Sequence, residues 1–103
     1  MSALPALAAA AALLFCATAA GAATIEITID RLEFRPAAVT ARPGDTILWR
    51  NRDVMDHTAT AKGNFDVVIP AGASGSAVVN ADGVVEYVCR FHPNMKGRIA
   101  VGR

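Results

Sequence analysis

The chain has 103 residues, with ten basic and nine acidic side chains and a net charge of +1. That balance is too small to imply nucleic acid or an anionic membrane surface as a partner. The length allows one domain and no more.

The first 23 residues carry no charged side chain, and "ALAAAAALLFCATAA" is a continuous apolar run. The run is short and alanine-rich for a membrane span. Ala20 and Ala22 put small residues at −3 and −1 of a cleavage site, so residues 1–22 read as a secretory signal peptide, although it lacks a basic start. Phe15 is too bulky to precede a lipidated cysteine, so Cys16 leaves with the leader. The reading is an exported, periplasmic domain over residues 23–103, with Cys89 as its single cysteine and no internal disulfide.

In chain order, "TIEITID" alternates apolar and polar residues with the period of a half-buried strand. "AAVTAR" is a short strand, "RPGD" a turn, and "DTILWRN" resumes the alternation. "HTATA" is a further strand, whereas "KGNFD" and "IPAGASG" read as loops. "SAVVN" and "VVEYVC" are strands joined at Asp82-Gly83, and "GRIAVG" closes the chain. Nothing after the leader has helical periodicity. Turn signals recur about every 8–12 residues, which predicts an all-β antiparallel sandwich or barrel. Trp49 and Tyr87 are expected in its core.

A domain this small buries only about 60–65% of its unfolded surface, and small exported domains are usually reinforced by disulfides or a metal. With one cysteine left, a metal is the remaining device. Two imidazoles and a thiolate in a plane, with a weak axial thioether, make a type I copper site. His57, Cys89, His92 and Met95 form one complete set of that kind. Cys89 ends a strand, and the C-x2-H-x2-M spacing lets one short loop turn three side chains toward a point, with Pro93 stiffening it, while His57 arrives from a distant strand. Met55 is expected to be a packing or surface residue. Zinc, with Asp56 as fourth ligand, is a second metal option. A thiol hydrolase using Cys89 and His92 is the enzyme option, disfavoured because nothing suggests an oxyanion hole or a substrate cleft.

The stretches "LEFRPAAVTARPGDTILWRNRDVMDH", "ADGVVEYVC" and "CRFHPNMKGRIAV" resemble the small blue copper proteins, the cupredoxins, and within them the amicyanins. The resemblance covers nearly all of residues 23–103. It implies a Greek-key β-sandwich and one copper ion cycling between Cu(I) and Cu(II). His57 and His92 would be the nitrogen ligands, Cys89 the thiolate and Met95 the axial thioether. It implies a monomeric electron carrier rather than an enzyme, with a quinoprotein dehydrogenase or a c-type cytochrome as redox partner. His92 would be the exposed edge, inside an apolar patch of Phe91, Pro93, Met55 and Ile69-Pro70-Ala71. Arg90, Lys96 and Arg98 beside it are expected to steer an acidic partner. Asp56 stands where amicyanins have proline, Thr58 where they often have asparagine, and Arg90-Phe91 where Thr-Pro is common. The segment between His57 and Gly75 is also shorter. A copper-handling protein is the alternative from another class; its sites exchange metal readily. A sandwich with a vestigial site, serving adhesion or scaffolding, is a third.

Overall fold

The structure, a computed structural model, describes residues 21–103. The apolar run and Cys16 of the expected leader lie outside the described residues, which form nine strands and no helix. They are β1 (Thr24–Asp30), β2 (Glu33–Arg35), β3 (Ala38–Ala41), β4 (Asp45–Asn51), β5 (His57–Ala61), β6 (Phe65–Ile69), β7 (Ser74–Val79), β8 (Gly83–Cys89) and β9 (His92–Val101). One sheet has the order β2-β1-β4-β7 and the other β3-β9-β8-β5-β6. The pairs β1–β4 and β3–β9 are parallel, and the remaining pairs are antiparallel.

Alternation decides which face of each strand is inward. In β4, Ile47, Trp49 and Asn51 are buried while Arg50 is exposed. In β9, Met95, Gly97, Ile99 and Val101 are buried between the exposed Lys96 and Arg98. The inward rows meet as one core containing Ile27, Ile29, Ile47, Trp49, Ile69, Tyr87 and Ile99, none more than 1% exposed. Phe34 meets the Tyr87 ring edge-on at 4.7 Å, and Phe65 lies 5.4 Å from Trp49. The Trp49 indole Nε1–H donates to the Tyr87 hydroxyl at 3.2 Å. Burial pushes that hydroxyl's pKa up to about 12, against the smaller lowering effect of the indole bond. The Tyr87 ring occupies the space where a Cβ on Gly97 would stand, so this position in β9 admits no side chain without moving the ring. Trp49 and Tyr87 are thus core residues, as expected.

The strands over "TIEITID", "DTILWRN" and "HTATA" fall where the alternation puts them. Three elements differ. Residues 65–69 form β6, although Phe65-Asp66 in "KGNFD" and Ile69 in "IPAGASG" read as loop; the run Val67-Val68-Ile69 is β-branched and pairs with β5 in full register. β2 has three residues, too few for a period to show. The segment after Cys89 is a strand from His92 onward rather than a loop, because a two-residue turn at Arg90-Phe91 pairs Cys89 with His92.

Just ahead of β1, the Asp45 carboxylate accepts the N–H groups of Ala23 and Arg42, each at 2.8 Å. Those two bonds hold its pKa below the usual carboxylate value.

Candidate metal centre

Three potential donor atoms converge at one end of the sandwich. One atom each from His57, Cys89 and His92 lies within 4.8 Å of the others. The Cys89 Sγ is 3.7 Å from His57 Nδ1 and 3.6 Å from His92 Nδ1, and the two imidazole rings meet edge-on at 5.0 Å. Each residue stands at a strand terminus. His57 opens β5 and Cys89 ends β8, the neighbouring strand, beside a register irregularity at Val88/Cys89. His92 opens β9 opposite Cys89.

The separations test the fit of a metal. An ion bonded to one nitrogen and one sulfur at roughly 2.0–2.3 Å, at trigonal angles, holds the two donors about 3.8 Å apart. The observed sulfur–nitrogen distances fit. A thiol has one proton and could satisfy only one of the two nitrogens. Two imidazoles and one thiolate, with a thioether nearby in sequence, suit copper better than zinc.

The His57 side chain is fully buried, and its orientation is set from behind. Its Nε2 contacts Asp53 Oδ2 at 2.8 Å. An ionised carboxylate only accepts, so Nε2 carries the proton and the Nδ1 lone pair faces the cluster. The same carboxylate accepts the Arg31 N–H at 2.8 Å and the Leu32 N–H at 3.0 Å. Burial works to raise the Asp53 pKa, but the bonds from Leu32, His57 and Arg31 outweigh it and hold the group below the ordinary value. This is the arrangement in which a carboxylate fixes the tautomer of a ligating histidine. Asn51 holds the turn before His57. Its Oδ1 accepts the Asp53 N–H at 2.9 Å, and its amide faces the carbonyls of Met55, Ile69 and Pro70 at 2.9, 3.0 and 3.2 Å.

Cys89 is fully buried, and the Thr58 N–H donates to its sulfur at 3.3 Å. The Thr58 hydroxyl accepts the Arg90 N–H at 2.8 Å instead of reaching the sulfur. Met95 is 4% exposed and lines a surface hollow together with His92, Arg31, Leu32, Glu33, Pro93 and Asn94. Among the clustered residues only His92 has partial exposure.

Several expectations need correction. Asp56 does not join the cluster; its carboxylate is exposed and accepts the Ala71 N–H at 2.9 Å. Ile69 belongs to the core rather than to a surface patch. Arg90 is paired with Asp66, Nε to Oδ1, at 3.0 Å and lies 5.4 Å from the Phe91 ring centre, so its charge is partly answered within the molecule. Lys96 and Arg98 point outward from β9 opposite Val88 and Glu86, along a sheet face. Sequence reading passed over Asp53, Asn51 and the Arg31-Leu32 turn. The one available signal was an Asn-x-Asp just before the histidine, a pattern that favours side-chain bonds to nearby backbone.

A family model described as "Cupredoxin-like domain" matches residues 3–101. Amicyanin-alpha of Methylorubrum extorquens is 29% identical over 89 residues, covering 80% of this chain and 75% of the relative. Amicyanin of Paracoccus versutus is 24% identical over 84 residues, covering 75% of this chain and 64% of the relative. Among solved structures, Paracoccus versutus amicyanin superposes with a TM-score of 0.69 at 26% identity, covering 77% of this chain and 81% of its own. An oxidised proline-to-alanine variant of amicyanin gives 0.70 at 25%, covering 82% and 86%.

Proposed function

Because the chain belongs to the cupredoxin-like family, we propose that it is a single-electron carrier whose one type I copper ion is held by His57, Cys89, His92 and Met95. The observation that carries this reading is the convergence of a thiol and an imidazole from one hairpin with a second imidazole, His57, from a strand far earlier in the sequence. A relative in the same family has been solved in a reduced Cu(I) form, and the donor set here is chemically suited to the same metal. Bound copper supplies the one-electron Cu(I)/Cu(II) couple.

The protein's part is to keep the donors where they are. Asp53 orients His57. The β8–β9 pairing fixes the Cys89–His92 separation. Full burial keeps the Cys89 sulfur away from water and from any substrate carbonyl, which favours electron transfer over hydrolysis. His92, half-buried, is the edge through which an electron enters or leaves. Exposed apolar side chains stand on the turns at this end: Leu32 at 41%, Met55 at 37% and Phe91 at 50%. They suit the small, transient contact of a redox encounter. A quinoprotein dehydrogenase as donor and a c-type cytochrome as acceptor follow from likeness to amicyanins.

Export to the periplasm and cleavage after Ala22 complete the proposal. The Ala23 nitrogen already sits 2.8 Å from the Asp45 carboxylate, so a new α-ammonium there meets a counter-charge. N-terminal sequencing of the purified protein checks the site. The function is tested by adding Cu(II) to residues 23–103 and recording the visible spectrum beside Cys89→Ser. An intense blue band absent from the variant is expected. A colourless protein, or one binding copper equally without Cys89, would shift the reading to copper handling.

A further inference from the structure

Four side chains on the outer face of the five-stranded sheet form a closed hydrogen-bond circuit that begins and ends at Arg90. The Arg90 N–H donates to Thr58 Oγ1 at 2.8 Å. Thr58 Oγ1 and Thr60 Oγ1 are 2.9 Å apart. Thr60 Oγ1 donates to Asp66 Oδ1 at 2.7 Å, and Arg90 Nε donates to that same oxygen at 3.0 Å.

The direction of every bond is fixed. An ionised carboxylate only accepts, so the single Thr60 hydroxyl proton goes to Asp66. Thr60 must then accept from Thr58, which leaves the Thr58 oxygen to accept from Arg90. Three bonds run head to tail from the Arg90 N–H through Thr58 and Thr60 to Asp66, so that each donor along that arm polarises the next, and the Arg90 Nε–H closes the circuit on the same carboxylate. Bonds from Thr60 and then Arg90 hold the Asp66 pKa below the ordinary carboxylate value, consistent with an acceptor of both.

Thr58 is fully buried and touches two consecutive residues of the β8–β9 turn. Its N–H reaches Cys89 Sγ and its hydroxyl holds the Arg90 N–H. The circuit therefore fixes the residue that supplies a hydrogen bond to the thiol sulfur. We propose that Thr60 and Asp66 are positioning residues for the sulfur side of the site, acting through Thr58 and Arg90. The inference rests on the copper reading above and adds to it two residues remote from the donor atoms. An N–H directed at a thiolate withdraws charge from sulfur and favours the reduced metal. A circuit that holds this N–H in place therefore raises the reduction potential.

Thr60→Val removes one hydroxyl with little change of shape and leaves the Thr58 proton without an acceptor. Two readouts are expected to move. In the copper-loaded protein, the ratio of Cu(II) to Cu(I) affinity rises about threefold, lowering the midpoint at 59 mV per tenfold, and the sulfur-to-copper absorption band shifts. In the metal-free protein, exchange of the Arg90 amide proton speeds up about tenfold. Thr60→Ser restores both, and Thr40→Val, at an exposed position of β3, changes neither. Asp66→Asn keeps an acceptor oxygen without the charge and gives a smaller shift of the same sign; it carries the test if Thr60→Val does not fold. An unchanged potential and band in a blue Thr60→Val protein would overturn the positioning role. An Arg90 amide still exchanging slowly would overturn the route through Thr58. A wild-type protein with no blue band would overturn the copper reading itself, and the Arg90 readout would then be all that remained of the circuit's role.

Discussion

The two ends of the sandwich make their turns by different means. At the end away from the cluster, the turns after β3 and β5 contain Gly44 and Gly63, and the turn after β7 leads into Gly83 at the start of β8, at φ values of 95, 81 and 122°. No atom lies within 4 Å of where their Cβ atoms would be, and short backbone bonds such as Asn64 N–H to Ala61 O at 2.8 Å close the chain. At the cluster end Gly72 is the single comparable glycine, with φ of 72°. The β1–β2 turn there places Arg31 and Leu32 at φ of 54 and 60°. A side chain in that region costs about 1–2 kcal/mol. The Asp53 carboxylate offsets it by accepting both N–H groups while also holding His57. A glycine turn closes independently of the rest of the molecule. A turn held by a distant carboxylate is tied to whatever else that carboxylate holds, and here that is a candidate metal ligand.

The largest expected effect comes from breaking that tie. Asp53→Ala leaves the buried His57 Nε2–H without its acceptor, at about 1–3 kcal/mol, and releases the exposed Arg31 and Leu32 N–H groups to water, so it should destabilise the fold by about 2–3 kcal/mol in urea unfolding. In the metal-free protein, imidazole nitrogen shifts should show His57 leaving its single tautomer. If stability held and the tautomer persisted, the cluster-end turn would be as independent as the glycine turns. At the opposite end, Gly83→Ala forces a Cβ into a backbone conformation only glycine adopts readily. It should cost about 1–2 kcal/mol and leave the His57 tautomer untouched. Arg31→Gly sharpens the comparison from the other side: relieving one positive φ should stabilise by about 0.5–1 kcal/mol, because Asp53 accepts a backbone N–H that glycine keeps.

The smallest effect is in acid. Asp45 at the far end and Asp53 at the cluster end both have depressed pKa values. Each favours the folded state above the ordinary carboxylate value of 3.8, and that contribution is lost as pH falls through the lower folded value. Asp45→Asn should therefore flatten the decline of the urea midpoint between about pH 5 and pH 3. Identical slopes in wild type and variant would remove Asp45 from the account.

Much of the fold is legible before any coordinates. The alternation in "DTILWRN" marks Ile47 and Trp49 as inward, and the breaks at Pro43-Gly44 and Asp82-Gly83 mark turns. The spacing of Cys89, His92 and Met95 indicates a candidate site because those residues share one hairpin. β6 escaped notice because Gly63-Asn64 looks like the middle of a long loop and the strand's outward positions are half apolar, with Val68 exposed at 53%. The expectation that Arg90 faces a partner missed Asp66, 24 residues earlier in the chain.

The sequence by itself determined what is periodic or adjacent: strand faces, turn positions, three of the four candidate ligands on one segment, and the chemistry they share. Only the tertiary structure decided that Asp53 stands behind His57 and braces Arg31 and Leu32, that Thr58 donates its N–H to the sulfur while its hydroxyl oxygen accepts the Arg90 N–H, and that Asp66 closes a circuit with the turn after Cys89. The reason is physical. Strand periodicity is carried by neighbouring residues, whereas a side chain's partner across two sheets is set by register and twist, which no local run of residues encodes.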